Sequence, residues 1–312
     1  MMVKLRISAL ILISFLSCSL FNSGKDNSDK NKQIALAALA LSSTGSTSSC
    51  SSSTTTGTTV SNSTASLDSS SGCVTGVTTC MDSALPTWIK NNFKCAVGYV
   101  SGSNYVFKSQ NVPNTKSSYY GTSSPLYEAR TTTGTNPNSI STQKMVYTIP
   151  VTPTKGSGTD STQGGLVAIG ITVNGLAIFN NAAAPPDVLA TEAATFDNFM
   201  GHPQNSGVYH HHAGAPKICG DNNTTATNSS TCNNSSLIGI SLDGYAIYGQ
   251  KCKTSSGASE TTPTLDSLHG HTSTTEHFST ATYHYHYAYD STATIYTLMG
   301  SYFYGNKGSV SN

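Results

Sequence analysis

From residue 95 onward, short apolar runs are broken by Gly, Asn, Pro and Ser, a punctuation that suits strands and turns better than long helices. Runs at 96–100, 104–108, 144–149, 165–172, 176–179, 237–242 and 245–248 each have the length and the β-branched or aromatic content of a strand. Two of the breaks are Asn174-Gly175 and Asp243-Gly244, whose tolerance of positive φ suits the tight turn of a hairpin. Segment 186–200, with Asp187, Glu192 and its apolar spacing, is the best helical candidate. The expectation is a mainly β chain: a single antiparallel β-rich domain over 85–312 with a short helix and no βαβ alternation.

Composition narrows the function. Lys and Arg number 16 against 15 Asp and Glu, a net charge of +1, so no basic field exists to hold a nucleic acid. Charged residues are 10% of the chain, against roughly 25% in ordinary domains, yet hydrophobic residues at 37% still supply a core. No phosphate-binding loop, dinucleotide fingerprint or nucleophile elbow is present.

The N-terminus reads as an export signal over residues 1–17. Lys4 and Arg6 precede an apolar run at 7–16 that is too short to span a bilayer, for which about 20 residues are needed. Phe15-Leu16-Ser17-Cys18 resembles a permissive, spirochaete-like bacterial lipobox, which implies acylation of Cys18 and a membrane partner through that lipid. Residues 18–80 read as a tether and Ser/Thr-rich spacer, since 22 of the 30 residues at 42–71 are Ser or Thr. The expected location is therefore the cell envelope, periplasmic or surface-exposed. Export permits disulfides. Cys73 with Cys80, or Cys80 with Cys95, are local candidates, and two of Cys219, Cys232 and Cys252 are expected to bridge. Eight cysteines less a lipidated Cys18 leave an odd one unpaired or shared.

All nine histidines fall between His202 and His286. Asp197 precedes Gly201-His202 and Asp266 precedes Gly270-His271 by the same interval. Downstream of each comes a Tyr-His-X-His tetrapeptide, Tyr209 to His212 and Tyr283 to His286. In a strand, residues two apart share a face, so His210 projects with His212 and His284 with His286, while Tyr209, His211, Tyr283 and Tyr285 face the other way. A His-X-His pair with one His from a neighbouring turn is enough for a three-imidazole metal site. The candidate ligands are His202, His210, His212, His271, His284 and His286, forming one shared site or two equivalent ones. Imidazole suits several transition metals, copper and zinc foremost. Asp197 and Asp266 are placed to accept the outer ring N–H of a ligand, and Tyr209, Tyr283 and Tyr285 to pack or hydrogen-bond around it. His269 and His277 have no counterpart in the first cluster, and His211 stands where the second has Tyr285, so these three rank as accessory.

These residues resemble the YHYH family of exported bacterial proteins. Tyr283-His284-Tyr285-His286 is the family's eponymous motif, and Asn174-Gly175, Gly207 to His210, Leu237-Ile238-Gly239, the run from Asp243 to Gly249, and Leu265-Asp266 extend the likeness over roughly 104–305. His211 departs from the second Tyr, Met200 stands where the family tends to have Asn, and Ser301 where a Cys often follows Gly. The resemblance implies a domain and a site, but no reaction.

The leading functional expectation is transition-metal binding by an exported lipoprotein. A metal-dependent hydrolase or oxidase using the same histidines, with Asp243 or Glu276 as general base, is the enzymatic alternative. A surface adhesin whose histidines are structural is the third, with a small molecule or surface component as partner.

Overall fold

Alternation decides the first sheet. In Met145–Pro150, residues Met145, Tyr147 and Ile149 are buried while Val146, Thr148 and Pro150 are half-buried, the period of two that presents one face to a core. The computed structural model describes residues 50–134, 136–162, 167–219 and 232–312. Strands β1 (Cys80–Met81), β2 (Val97–Ser101), β3 (Asn104–Ser109) and β4 (Met145–Pro150) lie in that order, with the last strand, Ser309–Ser311, beyond β4. Tyr105, Phe107, Met145, Tyr147 and Ile149 share one core cluster with Ile171, Ile178, Ile240 and Ile247 of the second sheet. Fully burying side chains of this kind contributes about 1.5–3 kcal/mol each, so this shared core dominates the fold's stabilisation.

The second sheet has eight strands and an internal two-fold. Its members are β5 (Gly170–Thr172), β6 (Ala177–Ile178), β7 (His202–Pro203), β8 (Tyr209–His211), β9 (Leu237–Ser241), β10 (Ala246–Tyr248), β11 (Gly270–Ser273) and β12 (Thr282–His286). Their order is β11-β12-β10-β9-β5-β6-β8-β7, so the two halves mirror one another outward from the central β5–β9 pair. The hairpin turns at Asn174-Gly175 and Asp243-Gly244 put both glycines at positive φ, 81° and 89°. The β5–β9 register pairs Ile171 with Ile240, Gly170 with Ser241 and Thr172 with Gly239. That register is symmetric, because 170 to 239, 171 to 240 and 172 to 241 are each 69 apart. The sequences agree: Ile169-Gly-Ile-Thr-Val-Asn-Gly-Leu-Ala-Ile-Phe repeats as Ile238-Gly-Ile-Ser-Leu-Asp-Gly-Tyr-Ala-Ile-Tyr. The repeat noticed in the histidine motifs therefore reaches back through both hairpins. A two-stranded piece, β13 (Ala288–Asp290) with β14 (Ile295–Thr297), follows, and Ser309–Ser311 is β15.

The chain is mainly β, and most strand pairs are antiparallel; β1–β2, β6–β8 and β10–β12 are parallel. Helix at 186–200 shrinks to one turn, Leu189–Glu192, continued by a 3-10 turn, Ala193–Thr195. The helix stops because Phe196 turns extended (ψ 140°) and Met200 sits at φ 62°, a left-handed conformation incompatible with helix. Two further one-turn helices, Thr87–Lys90 and Pro216–Cys219, were not foreseen.

Residues 50–80, read from composition as spacer, are folded onto this body. Cys50 is disulfide-bonded to Cys80 and Cys73 to Cys95, and Gly57 and Leu67 bridge to Val77 and Val74. Neither local pairing expected for Cys80 forms; Ser/Thr-rich composition hid the fact that Cys50 supplies its partner. Cys219 pairs with Cys232, leaving Cys252 as a buried thiol. The export signal, Cys18 and the first part of the spacer lie outside the described residues. Among the described residues, no helix is long and apolar enough to cross a membrane.

Candidate metal centres

Each half of the eight-stranded sheet builds its histidine cluster in the same way. The Asp197 Oδ1 accepts the N–H groups of Phe199 (2.9 Å) and Gly201 (3.2 Å), and its Oδ2 accepts the Tyr209 hydroxyl (2.9 Å). Asp266 does likewise with Leu268 (2.9 Å), Gly270 (3.1 Å) and the Tyr283 hydroxyl (3.1 Å). A Cβ on Gly201 or Gly270 would lie 2.4 or 2.3 Å from that tyrosine's ring, so only glycine fits under it. The clamped turn delivers the next residue, His202 or His271, into a strand. There His202 pairs with His210 across β7–β8, and His271 with His284 across β11–β12.

In the first cluster His202, His210 and His212 are 2–3% exposed. Carbonyl oxygens accept only, so the His210 Nδ1–H donates to Val208 O (2.9 Å) and the His212 Nδ1–H to Asn180 O (2.6 Å). The Thr195 hydroxyl donates to Glu192 O (2.8 Å), which leaves its oxygen to accept the His202 Nδ1–H at 2.7 Å. All three rings therefore turn an Nε2 lone pair inward. The His210 and His212 Nε2 atoms stand 3.0 Å apart, and His202 Nε2 is buried without a hydrogen-bond partner.

The second cluster repeats two of these three Nδ1 contacts and adds a thiol. His284 Nδ1–H donates to Thr282 O (2.9 Å) and His286 Nδ1–H to Gly249 O (2.7 Å), the counterparts of Val208 and Asn180. The Cys252 Sγ lies 3.7 Å from His284 Nε2, while His271 and His286 Nε2 have no partner. The donor atoms of Cys252, His271, His284 and His286 all lie within 4.8 Å of one another, as do those of His202, His210 and His212.

Bond lengths of about 2.0–2.3 Å at tetrahedral angles separate ligand atoms by roughly 3.4–3.6 Å, close to what both groups present. Burial holds the imidazoles neutral, the form that ligates. It depresses His202 and His210 well below the ordinary range, with their histidine neighbours adding to the shift. It lowers His212 and His284 to about 4 and His286 to about 3, and also lowers His271. Without an ion, inward lone pairs on buried, partnerless nitrogens are a net cost. Both groups can hold a metal ion.

The structure thus gathers the six histidines into two clusters, one on each outer pair of strands. Five strand spacings separate β8 from β12, about 24 Å at roughly 4.8 Å each, too far for one shared ion. The carboxylates of Asp197 and Asp266 hydrogen-bond none of the clustered imidazoles; short side chains two and four residues before the N–H groups they cap fold back onto the turn instead. Tyr209 and Tyr283 reach those carboxylates, and Tyr285 donates to Asp243 Oδ2 (2.6 Å). Asp243 is no free base: it is buried, and also accepts Ser241 Oγ and the Gly305 N–H (2.9 Å). Glu276 is exposed and pairs with Lys253 at 3.4 Å, outside both donor groups. His211 Nδ1–H donates to Met200 O (3.0 Å), His277 meets the Tyr248 hydroxyl (2.9 Å), and His269 lies 3.9 Å from Asp290; none joins a cluster.

Two residues escaped sequence reasoning. Cys252 was weighed only as a disulfide candidate, although it follows Gly249, whose carbonyl holds His286, by three residues. Glu192 was read only as a helix former, yet its Oε1 is 3.8 Å from His202 Nε2 and its Oε2 is buried without a partner. Burial pushes Glu192 up to about 7, and the Asp187 carboxylate adds to the effect.

Comparison with known proteins gives one finding. The family model described as YHYH protein matches residues 146–264. The match spans β4 to the segment after β10, so it takes in the first cluster, both hairpins and Cys252, and stops short of His271, His284 and His286. It is narrower than the 104–305 over which the motifs run. No curated protein and no solved structure matches the chain.

Proposed function

We propose that the YHYH domain carried by this chain binds two transition-metal ions, one through His202, His210 and His212 and one through Cys252, His271, His284 and His286. The observation that carries the reading is the inward convergence of buried Nε2 atoms, with the opposite ring nitrogens of five of the six histidines fixed on carbonyl or hydroxyl oxygens. Carbonyl partners of this kind set the tautomer and orientation of metal-bound imidazoles. Nitrogen with one thiolate suits zinc, and copper binds the same donors more tightly by intrinsic order, so zinc and copper are the ions to test. Three disulfides fit an exported chain, here one anchored to the cell envelope through lipid on Cys18. The experiment is metal titration of the full chain with zinc: His210→Ala and His284→Ala each lower the stoichiometry from two to one, and together abolish binding. Unchanged stoichiometry in the double variant would sink the reading.

A further inference from the structure

Between the matched hairpins and the matched Asp197 and Asp266, the segments 180–197 and 249–266 have equal length, so the 69-residue offset carries through them. Within them Ala183 corresponds to Cys252. The second centre gains a fourth donor there, the buried Cys252 Sγ. The first centre has only a methyl group. In front of its histidines lies a cavity of about 210 Å³, lined by Ala183, Phe179, Asn136, Gln204 and Glu192 as well as the three rings. A water occupies about 30 Å³ of liquid, so this space takes several. Two buried polar atoms at its wall, His202 Nε2 and Glu192 Oε2, have no hydrogen-bond partner.

We propose that the two centres have diverged in coordination. The metal held by His202, His210 and His212 keeps an exchangeable position for water or a small oxygen- or nitrogen-donor ligand entering from this cavity, whereas Cys252 closes the second centre. Metal sites divide this way by ligand count: four protein donors complete a tetrahedron and serve structure, while three leave a position for exchange. At the first centre the entering ligand replaces one metal-bound water, and a protic ligand gives Glu192 Oε2 the hydrogen bond it lacks. The inference rests on the two-metal reading above.

The test loads the full chain with cobalt(II) and adds azide. Two cobalt ions bind; one shows a thiolate-to-cobalt charge-transfer band and the other a ligand-field spectrum that azide shifts. Cys252→Ser removes the charge-transfer band and keeps the azide response. His210→Ala removes the azide response and keeps the band. Ala183→Cys, which copies the second centre into the first, raises the band about twofold and abolishes the azide response. Two bound cobalt ions with no azide response, or an azide response that survives in both His210→Ala and Ala183→Cys, overturns the divergence while leaving metal binding intact. Failure to bind cobalt, zinc or copper at all defeats the metal reading and this inference with it.

Discussion

The position of Nε2, rather than the partner of Nδ1, separates the clustered histidines from the bystanders: His211 also bonds a carbonyl through Nδ1, at Met200, yet joins neither donor group. His210 and His284 bond the carbonyl two residues earlier in their own strand, whereas His212 and His286 bond Asn180 and Gly249 at the ends of the preceding hairpins. Each is left with an inward Nε2. His277 instead spends its Nδ1 on the Tyr248 hydroxyl, half-buried and away from both donor groups. His277→Ala is therefore expected to leave metal stoichiometry at two, while His286→Ala lowers it to one, as read by elemental analysis after dialysis; equal losses in both variants would refute the sorting. The grouping of the histidines was legible because a period of two in a strand is an elementary consequence of pleating. The roles given to Asp197 and Asp266 were not, because spacing alone does not say whether a carboxylate reaches a ring or turns back on its own N–H groups. Cys252 was hidden for a related reason: a cysteine near two others reads as a disulfide until the fold shows Cys219 and Cys232 already joined.

At the scale of the element, the repeated unit is a hairpin, an Asp-clamped turn and a Tyr-His-X-His strand. Its parts were visible separately, as Asn-Gly, Asp-Gly and the two histidine motifs, but the 69-residue offset that unites them needs the hairpins and motifs read as one object. The clamp predicts an asymmetry. Asp197 is fully buried and Asp266 is exposed, though both make the same bonds. Asp197→Ala strands two N–H groups and the Tyr209 hydroxyl away from water, each worth about 1–3 kcal/mol, so denaturant unfolding should show a loss of about 3 kcal/mol or more. Asp266→Ala, with water at hand, should lose about 1 kcal/mol. Equal losses would contradict the account. The strand's buried imidazoles also set a pH dependence for the metal-free protein. His211, His212 and His284 sit at about 4 and His286 at about 3 when folded, against about 6.5 unfolded. Protons then bind the unfolded chain preferentially below pH 6.5, so stability is present above that pH and is lost as pH falls toward 4. Asp197, raised by burial to about 6, Glu192, raised to about 7, and Asp243, also raised, act oppositely, but they are outnumbered by these four together with the depressed His202, His210 and His271. Thermal melts with chelator present should fall steadily from pH 7 to pH 4.5; a flat profile would contradict this.

The whole molecule joins the duplicated sheet to a five-stranded one across a shared core, and ties residues 50–80 on through Cys73–Cys95, while Cys50–Cys80 closes a loop within the segment. That segment was misread because Ser and Thr dominate its composition, yet Ala65 and Val74 are buried with Tyr119, Tyr120 and Leu126, Asn62 donates to Tyr119 O of the body, and Asn114 of the body donates to Gly72 O. Loops of 30 and 22 residues are closed by Cys50–Cys80 and Cys73–Cys95, and loss of a native disulfide typically costs about 2–5 kcal/mol. A chain lacking residues 1–80 should therefore unfold at lower denaturant than one lacking residues 1–49, by a margin of several kcal/mol; coincident unfolding curves would show the segment to be dispensable. The two metal ions proposed here would add to this stability by mass action, about 4 kcal/mol for each site at a thousand times its Kd. Elemental analysis of the purified full chain, joined to its melting curve with and without added zinc or copper, tests the central claim most directly. Two equivalents of metal per chain and a melting temperature that falls on chelation are predicted. A chain that carries no metal, and whose melting temperature does not move when metal is added, would contradict it.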